Sequence, residues 1–228
     1  MNFTAPAFVL LFPIVLALHW MLPPSRRWVL LLAASLGFYA VGSPQALPLL
    51  AGITLGTYAA ALGIAKSKTQ TAKKLWLTCA AVLCIGCLCL FKYAGIFRTD
   101  VPLLLPAGIS FYTFQALSYS VDVYRKDVAA QRSYWKFLLY VSMFPQLIAG
   151  PIVKYRDVEE QLSVRSTDWI DFGEGTKRFI FGLGKKVLLA NNFGALYAAI
   201  GALPDSDVSV VTYWIGIGAY TLQIYFDF

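Results

Sequence analysis

Apolar runs close to the length of a bilayer crossing recur along this chain, at Phe3–Leu22, Leu47–Ala65, Leu75–Phe91, Leu103–Val121 and Val208–Phe226. About 20 apolar residues in helical geometry cross the hydrocarbon layer, so a chain that repeats such runs has few folds open to it. Within lipid every backbone amide and carbonyl must be satisfied internally, and runs of this length select helices over barrel strands. The prediction is an all-α, polytopic integral membrane protein. It is read as a single membrane domain over residues 1–228, a multi-helix bundle with N-terminal helices over 1–65 and a core that begins at residue 75. Composition agrees, with 58% hydrophobic and 14% charged residues, where a soluble domain carries roughly a quarter charged. A cleaved signal peptide is a competing reading of the first run. Met1-Asn2-Phe3 offers no basic n-region, however, and the run is longer than an h-region, so a retained helix is expected.

The formal net charge of +7 does not point to nucleic acid, because the basic residues sit in short loops between apolar runs. Arg26 and Arg27, then Lys66, Lys68, Lys73 and Lys74, then Arg125, Lys126, Arg132 and Lys136 alternate with nearly neutral turns at "GSPQA" and Lys92–Pro102. Basic loops are retained in the cytoplasm, which predicts an N-terminus outside and "KSKTQTAKK" inside as the main polar linker. The second apolar run, Trp28–Val41, is too short to cross alone and must tilt into "GSPQ" or share its span with the next segment.

Polar residues inside apolar segments are the candidates for function. Gln115, Ser118, Asp122 and Arg125 are spaced three, four and three apart, which places them on one helical stripe with Asp122 and Arg125 close enough to pair. The stripe reads either as helix packing with an interfacial ion pair or as the wall of a wet cavity. From Asp168 to Leu203, Asp171, Arg178, Lys185 and Asn192 recur every seven residues opposite an apolar face, an amphipathic pattern. Lys185 and Lys186 either snorkel to headgroups or face an anionic ligand. Tyr220, Gln223 and Asp227 form a further stripe at the end of the chain.

Cys79, Cys84, Cys87 and Cys89 all lie within one apolar run and read as small-residue helix packing rather than as a metal or disulfide site. The single histidine, His19, stands beside Trp20 with no carboxylate or thiol near it in sequence and reads as a packing or interfacial residue.

The stretch "FPQLIAGPIVKYRD", Phe144–Asp157, departs most from the pattern. Two prolines with Gly150 between them break a helix and free backbone groups, and broken backbone at membrane depth persists where it is enclosed by protein or lines a polar space. A re-entrant turn would keep Lys154 and Arg156 at a cytoplasmic rim, whereas a full crossing would put them outside. A proline-kinked crossing helix remains an alternative. Five basic and six acidic residues between Lys154 and Arg178 leave the side undecided by charge. In a re-entrant break, Gln146 would satisfy freed backbone or touch a donor molecule.

Several of these segments, in order, resemble the membrane-bound O-acyltransferase family in its bacterial, polysaccharide-acetylating branch. They are "LPAGISFYTFQALSYSVDVYR", "FPQLIAGPIVKYRDV", "RFIFGLGKKVLLANN" and "LQIYFDF", with "FPIVLALHWMLP" and "RRWVLLLAASLGFYA" at the N-terminus. The resemblance covers the whole chain and matches an N-terminal half. It implies transfer of an acyl group from a cytoplasmic thioester, acetyl-CoA or another acyl thioester, to hydroxyls of an exported polysaccharide such as alginate. It also implies a bacterial inner-membrane location, a tunnel between the two faces and periplasmic or membrane acetylation partners. No bound cofactor or metal is expected. The general base that the family uses is a histidine expected beyond Phe228, a role His19 does not inherit, so residues 1–228 alone are expected to be inactive. On this reading the substrate and tunnel candidates are Gln115, Asp122, Gln146, Lys154, Arg156, Lys185, Lys186, Gln223 and Asp227. A transporter fragment and a non-catalytic membrane subunit remain the other readings.

Overall fold

The computed structural model describes residues 6–93, 106–147, 152–162, 168–204 and 208–228, and among these no strand occurs. The chain divides into two compact units, residues 1–166 and 167–228.

The first unit is built on α1 (Pro6–Met21), α2 (Arg27–Gly42), α3 (Leu47–Lys66), α4 (Gln70–Leu88), α5 (Ile109–Arg125), α6 (Tyr134–Ser142) and the single turn α7 (Tyr155–Val158). Helix α3 is central, packing on α4, α5 and α6, while α2 packs on α1 and α6. Its hydroxyls suit a dry interior: Thr54 donates to the Leu50 carbonyl and Thr57 to that of Ile53, both inside the helix's own ladder. Glycine allows α4 to approach closely, since a Cβ on Gly63 would stand 2.5 Å from the Trp76 ring. Counting its flanking 3-10 and π turns, α3 runs over Pro44–Lys66 and α4 over Gln70–Tyr93, and both are long and apolar enough to cross a membrane. The protein is an all-α membrane protein.

Helix α2 ends at "GSPQ" and a 3-10 turn, Pro44–Ala46, leads directly into α3. The polar linker is shorter than its composition suggests. Thr69 accepts the Ala72 amide as an N-cap, so Gln70–Lys74 already belong to α4 and only residues 67–69 connect the helices. The four cysteines do not converge: Cys84 is buried in the core, Cys87 is half-buried, and Cys79 and Cys89 face outward.

The second unit comprises α8 (Trp169–Gly184), a π-helical stretch (Lys185–Ala190), α9 (Asn191–Gly201) and α10 (Val210–Asp227). Helix α10 runs antiparallel to α9, with Phe193 stacked on Phe226 and the Tyr197 and Tyr220 rings in tilted contact. Its outer surface is strongly apolar, with Ile170, Phe181, Leu188, Val210 and Trp214 exposed, a surface suited to hydrocarbon rather than water.

Candidate functional site: the break after α6

Helix α6 has nine residues, TyrTrpLysPheLeuLeuTyrValSer, and at 1.5 Å per residue reaches only ~13 Å, under half of a ~30 Å hydrocarbon layer. It stops because Pro145 has no N–H for the Val141 carbonyl and because the residue before a proline avoids helical geometry. The chain then tightens into a turn in which the amides of Gln146 and Leu147 both donate to the Met143 carbonyl, at 3.1 and 3.0 Å. The Phe144 ring seals the turn against Phe8, Phe12 and Phe38.

Backbone groups released by the break are taken up by side chains. The Phe144 amide, which helix geometry would direct at the Tyr140 carbonyl, donates instead to Ser35 Oγ of α2 at 3.2 Å. The vacated Tyr140 carbonyl accepts two side-chain amides, Gln115 Nε2 at 2.9 Å and Gln146 Nε2 at 2.8 Å. Gln115 and Gln146, 31 positions apart, therefore meet on one oxygen. Gln146 satisfies freed backbone, as the re-entrant reading requires.

Gly150 and Pro151 lie outside the described residues. After them the chain has turned back toward the start of α6. Side chains on a helix lean toward its N-terminus, and the Tyr140 hydroxyl accordingly reaches down to donate to the Val153 carbonyl at 2.7 Å. Tyr155 is fully buried against the rings of Tyr119 and Tyr140, at 4.9 and 5.1 Å. Gln131, just ahead of α6, ties this base together: its Nε2 donates to the Tyr155 hydroxyl at 2.7 Å and its backbone amide to the Tyr119 hydroxyl at 2.8 Å. Residues 131 and 155 share a hydrogen bond, so the chain before α6 and the chain after the break come back to one place. The proline-kinked crossing does not occur. Burial pushes the Tyr155 hydroxyl up to about 12, against a smaller opposing effect of its bond with Gln131, so it remains a neutral partner rather than a base.

Lys154 and Arg156 flank this buried tyrosine and are exposed, with Arg156 Nε 3.3 Å from Asp157, a solvated pair worth little. The stripe on α5 is interior at one end and open at the other. Gln115 is buried, Ser118 Oγ donates to the Gln115 carbonyl, and Asp122 Oδ2 is enclosed without a hydrogen-bond partner. The expected Asp122–Arg125 pair does not form, because the carboxylate turns inward while Arg125 extends from the exposed last turn. That turn closes on Lys126, which adopts a left-handed φ of 67° and donates its amide to the Val123 carbonyl.

In the second unit Lys186 forms an ion pair with Asp227, both partly shielded. Gln223, one turn earlier on α10, lies directly over Gly194. Lys185 is exposed. The seven-residue stripe on this segment loses its register because the π stretch adds residues per turn over Lys185–Ala190, turning Lys186 rather than Lys185 toward α10. His19 is buried within α1. Ser35, Gln131, Tyr140 and Tyr155 were not anticipated. Ser35 is a lone hydroxyl between apolar neighbours and could have been noticed, whereas nothing local marks Gln131.

No family model matches the chain. Among curated proteins, all 228 residues align with a probable alginate O-acetylase, AlgI, of Azotobacter vinelandii at 38% identity, covering 49% of that protein, and with its namesake in Pseudomonas aeruginosa at 37%, covering 47%. A peptidoglycan O-acetyltransferase of Helicobacter pylori is 30% identical over 89% of the chain and 45% of its own length. Over its whole length this all-helical membrane chain is similar to bacterial alginate O-acetylases, proteins of the membrane-bound O-acyltransferase type. The chain spans about half the length of the curated relatives it matches.

Proposed function

We propose that the protein of which these residues form part is an O-acetyltransferase of the bacterial inner membrane, acting on hydroxyls of an exported polysaccharide. The observation that carries this reading is identity of 30–38% to proteins named for acetylating alginate and peptidoglycan, over nearly all or all of the chain. The donor is a cytoplasmic acyl thioester such as acetyl-CoA. Its carbonyl is attacked by an acceptor hydroxyl, the C–S bond breaks, the sulfur leaves as thiolate and the hydroxyl proton passes to a base. A hydroxyl is a weak nucleophile at neutrality, so the base is worth roughly 10²–10⁴ in rate.

The chain's own contribution is to bind and orient. The 143–147 turn brings irregular, polar backbone into a helical membrane protein, the setting in which such proteins handle polar substrates. Lys154 and Arg156, fixed in place by the buried Tyr155, supply positive charge for an anionic donor or an anionic polyuronate at the cytoplasmic rim. Lys185 supplies an exposed charge in the second unit. Lys186 and Asp227 serve each other and brace α10 against the π stretch, while Gln223 braces it against α9. Periplasmic or membrane acetylation proteins receive or pass on the acetyl group.

The test uses membranes containing the complete protein, a labelled acetyl thioester, and either a polyuronate or peptidoglycan as acceptor. Label in the polyuronate supports the alginate assignment, and label only in peptidoglycan redirects the acceptor. Label in neither, with the thioester intact, rejects the enzymatic reading.

A further inference from the structure

A helix stopped by proline ordinarily leaves its last carbonyls to water. At the end of α6 the hydrogen bond from residue 144 to residue 140 is replaced by an exchange among three elements. The Phe144 amide donates to Ser35 of α2, and the Tyr140 carbonyl is filled from α5 by Gln115 and from the turn itself by Gln146. Ser35 and Gln115 are both buried. Neither is required to end the helix, since Pro145 does that, and neither contributes to the apolar core. Their hydrogen bonds fix something narrower, the path of the turn.

If Ser35 let go, the Phe144 amide would be free to return to the Tyr140 carbonyl and α6 would extend by one residue, displacing the two glutamine amides. The two arrangements compete for one oxygen. We propose that Gln115 and Ser35 are positioning residues that hold the 143–147 turn in the course acyl transfer requires, an inference that rests on the acyltransferase reading above. Gln115 matters beyond the oxygen it shares with Gln146, because it reaches that oxygen from α5.

The test uses the complete protein with its native cysteines replaced and a single reporter thiol introduced by Met143→Cys. Gln115→Met removes the donor at nearly constant volume. Expected are wild-type insertion, a several-fold change in the rate of thiol labelling at position 143, and acetyl transfer reduced about ten- to a hundredfold in kcat with KM for the thioester little changed, as a misplaced reacting group produces. Gln115→Glu supplies the discriminating readout. A carboxyl donates to a carbonyl only when protonated, and burial raises its pKa. Its activity relative to the unsubstituted protein should therefore rise as pH falls from 8 to 5, while the Gln115→Met ratio stays flat. Ser35→Ala should shift labelling at 143 in the same way without touching Gln115.

Wild-type transfer and labelling in Gln115→Met would overturn the proposal. So would transfer that falls only in proportion to inserted protein, or a Gln115→Glu ratio independent of pH. If the unsubstituted protein transfers no acetyl group, the acyltransferase reading fails by itself. The labelling arm then still decides whether Gln115 and Ser35 hold the turn, and unchanged labelling in both variants rejects that too.

Discussion

Tyr140 concentrates the chemistry of the first unit in one side chain and one carbonyl. Its oxygen collects Gln115 and Gln146 at the inner end of the break, and its hydroxyl reaches Val153 at the outer end. Gln146→Leu should lower acetyl transfer several-fold in the complete protein while insertion is unchanged, because Gln115 still caps the carbonyl. Acetylation at the wild-type rate would separate this turn from the reaction. At the base of the segment, Tyr155→Phe removes the acceptor of Gln131 Nε2 and leaves a half-buried donor unsatisfied, a loss of about 1–3 kcal/mol. A fall in the detergent-solubilised melting temperature should report it. Lys126 offers the opposite case, as the described residue other than glycine with a left-handed backbone. Lys126→Gly should relieve roughly 1 kcal/mol of strain, read as a small rise in the same melting temperature.

At the scale of elements, close approach of α3 and α4 rests on glycine. Gly63→Ala would press a methyl into the Trp76 ring and should cost about 1–3 kcal/mol. A smaller side chain at Trp76 should recover part of that, so a double-mutant cycle should show coupling between the two sites. The apolar runs made α1, α3, α4, α5 and α10 legible in the sequence, since period and length suffice when the solvent is lipid. Pro145 likewise marked the break, and the Gln146 amide meets freed backbone, one of the two roles the sequence left open for it. What periodicity could not convey was which partner each polar residue meets. Gln115 finds a carbonyl 25 residues away, and Asp122 turns from Arg125 into the interior. The π stretch at Lys185–Ala190 was equally hidden, because a seven-residue polar stripe assumes a constant number of residues per turn.

For the whole molecule, the distribution of lysine and arginine predicts that the connection between α3 and α4 faces the cytoplasm. Lys68, exposed in that connection, provides the probe. In a cysteine-free background, Lys68→Cys should resist an impermeant thiol reagent in intact cells and react in inverted vesicles. Reaction in intact cells would reverse the orientation. The hydrogen bond between Gln131 and Tyr155 bears on the same question through parity. With described residues on both sides of the break held together, the stretch is expected to add no traversal, and a hydropathy profile that scores it as a crossing would assign every later loop to the wrong compartment. Reporter fusions after residue 130 and after residue 160 should therefore give the same signal, and the sidedness of α8 to α10 must be counted from that shared value.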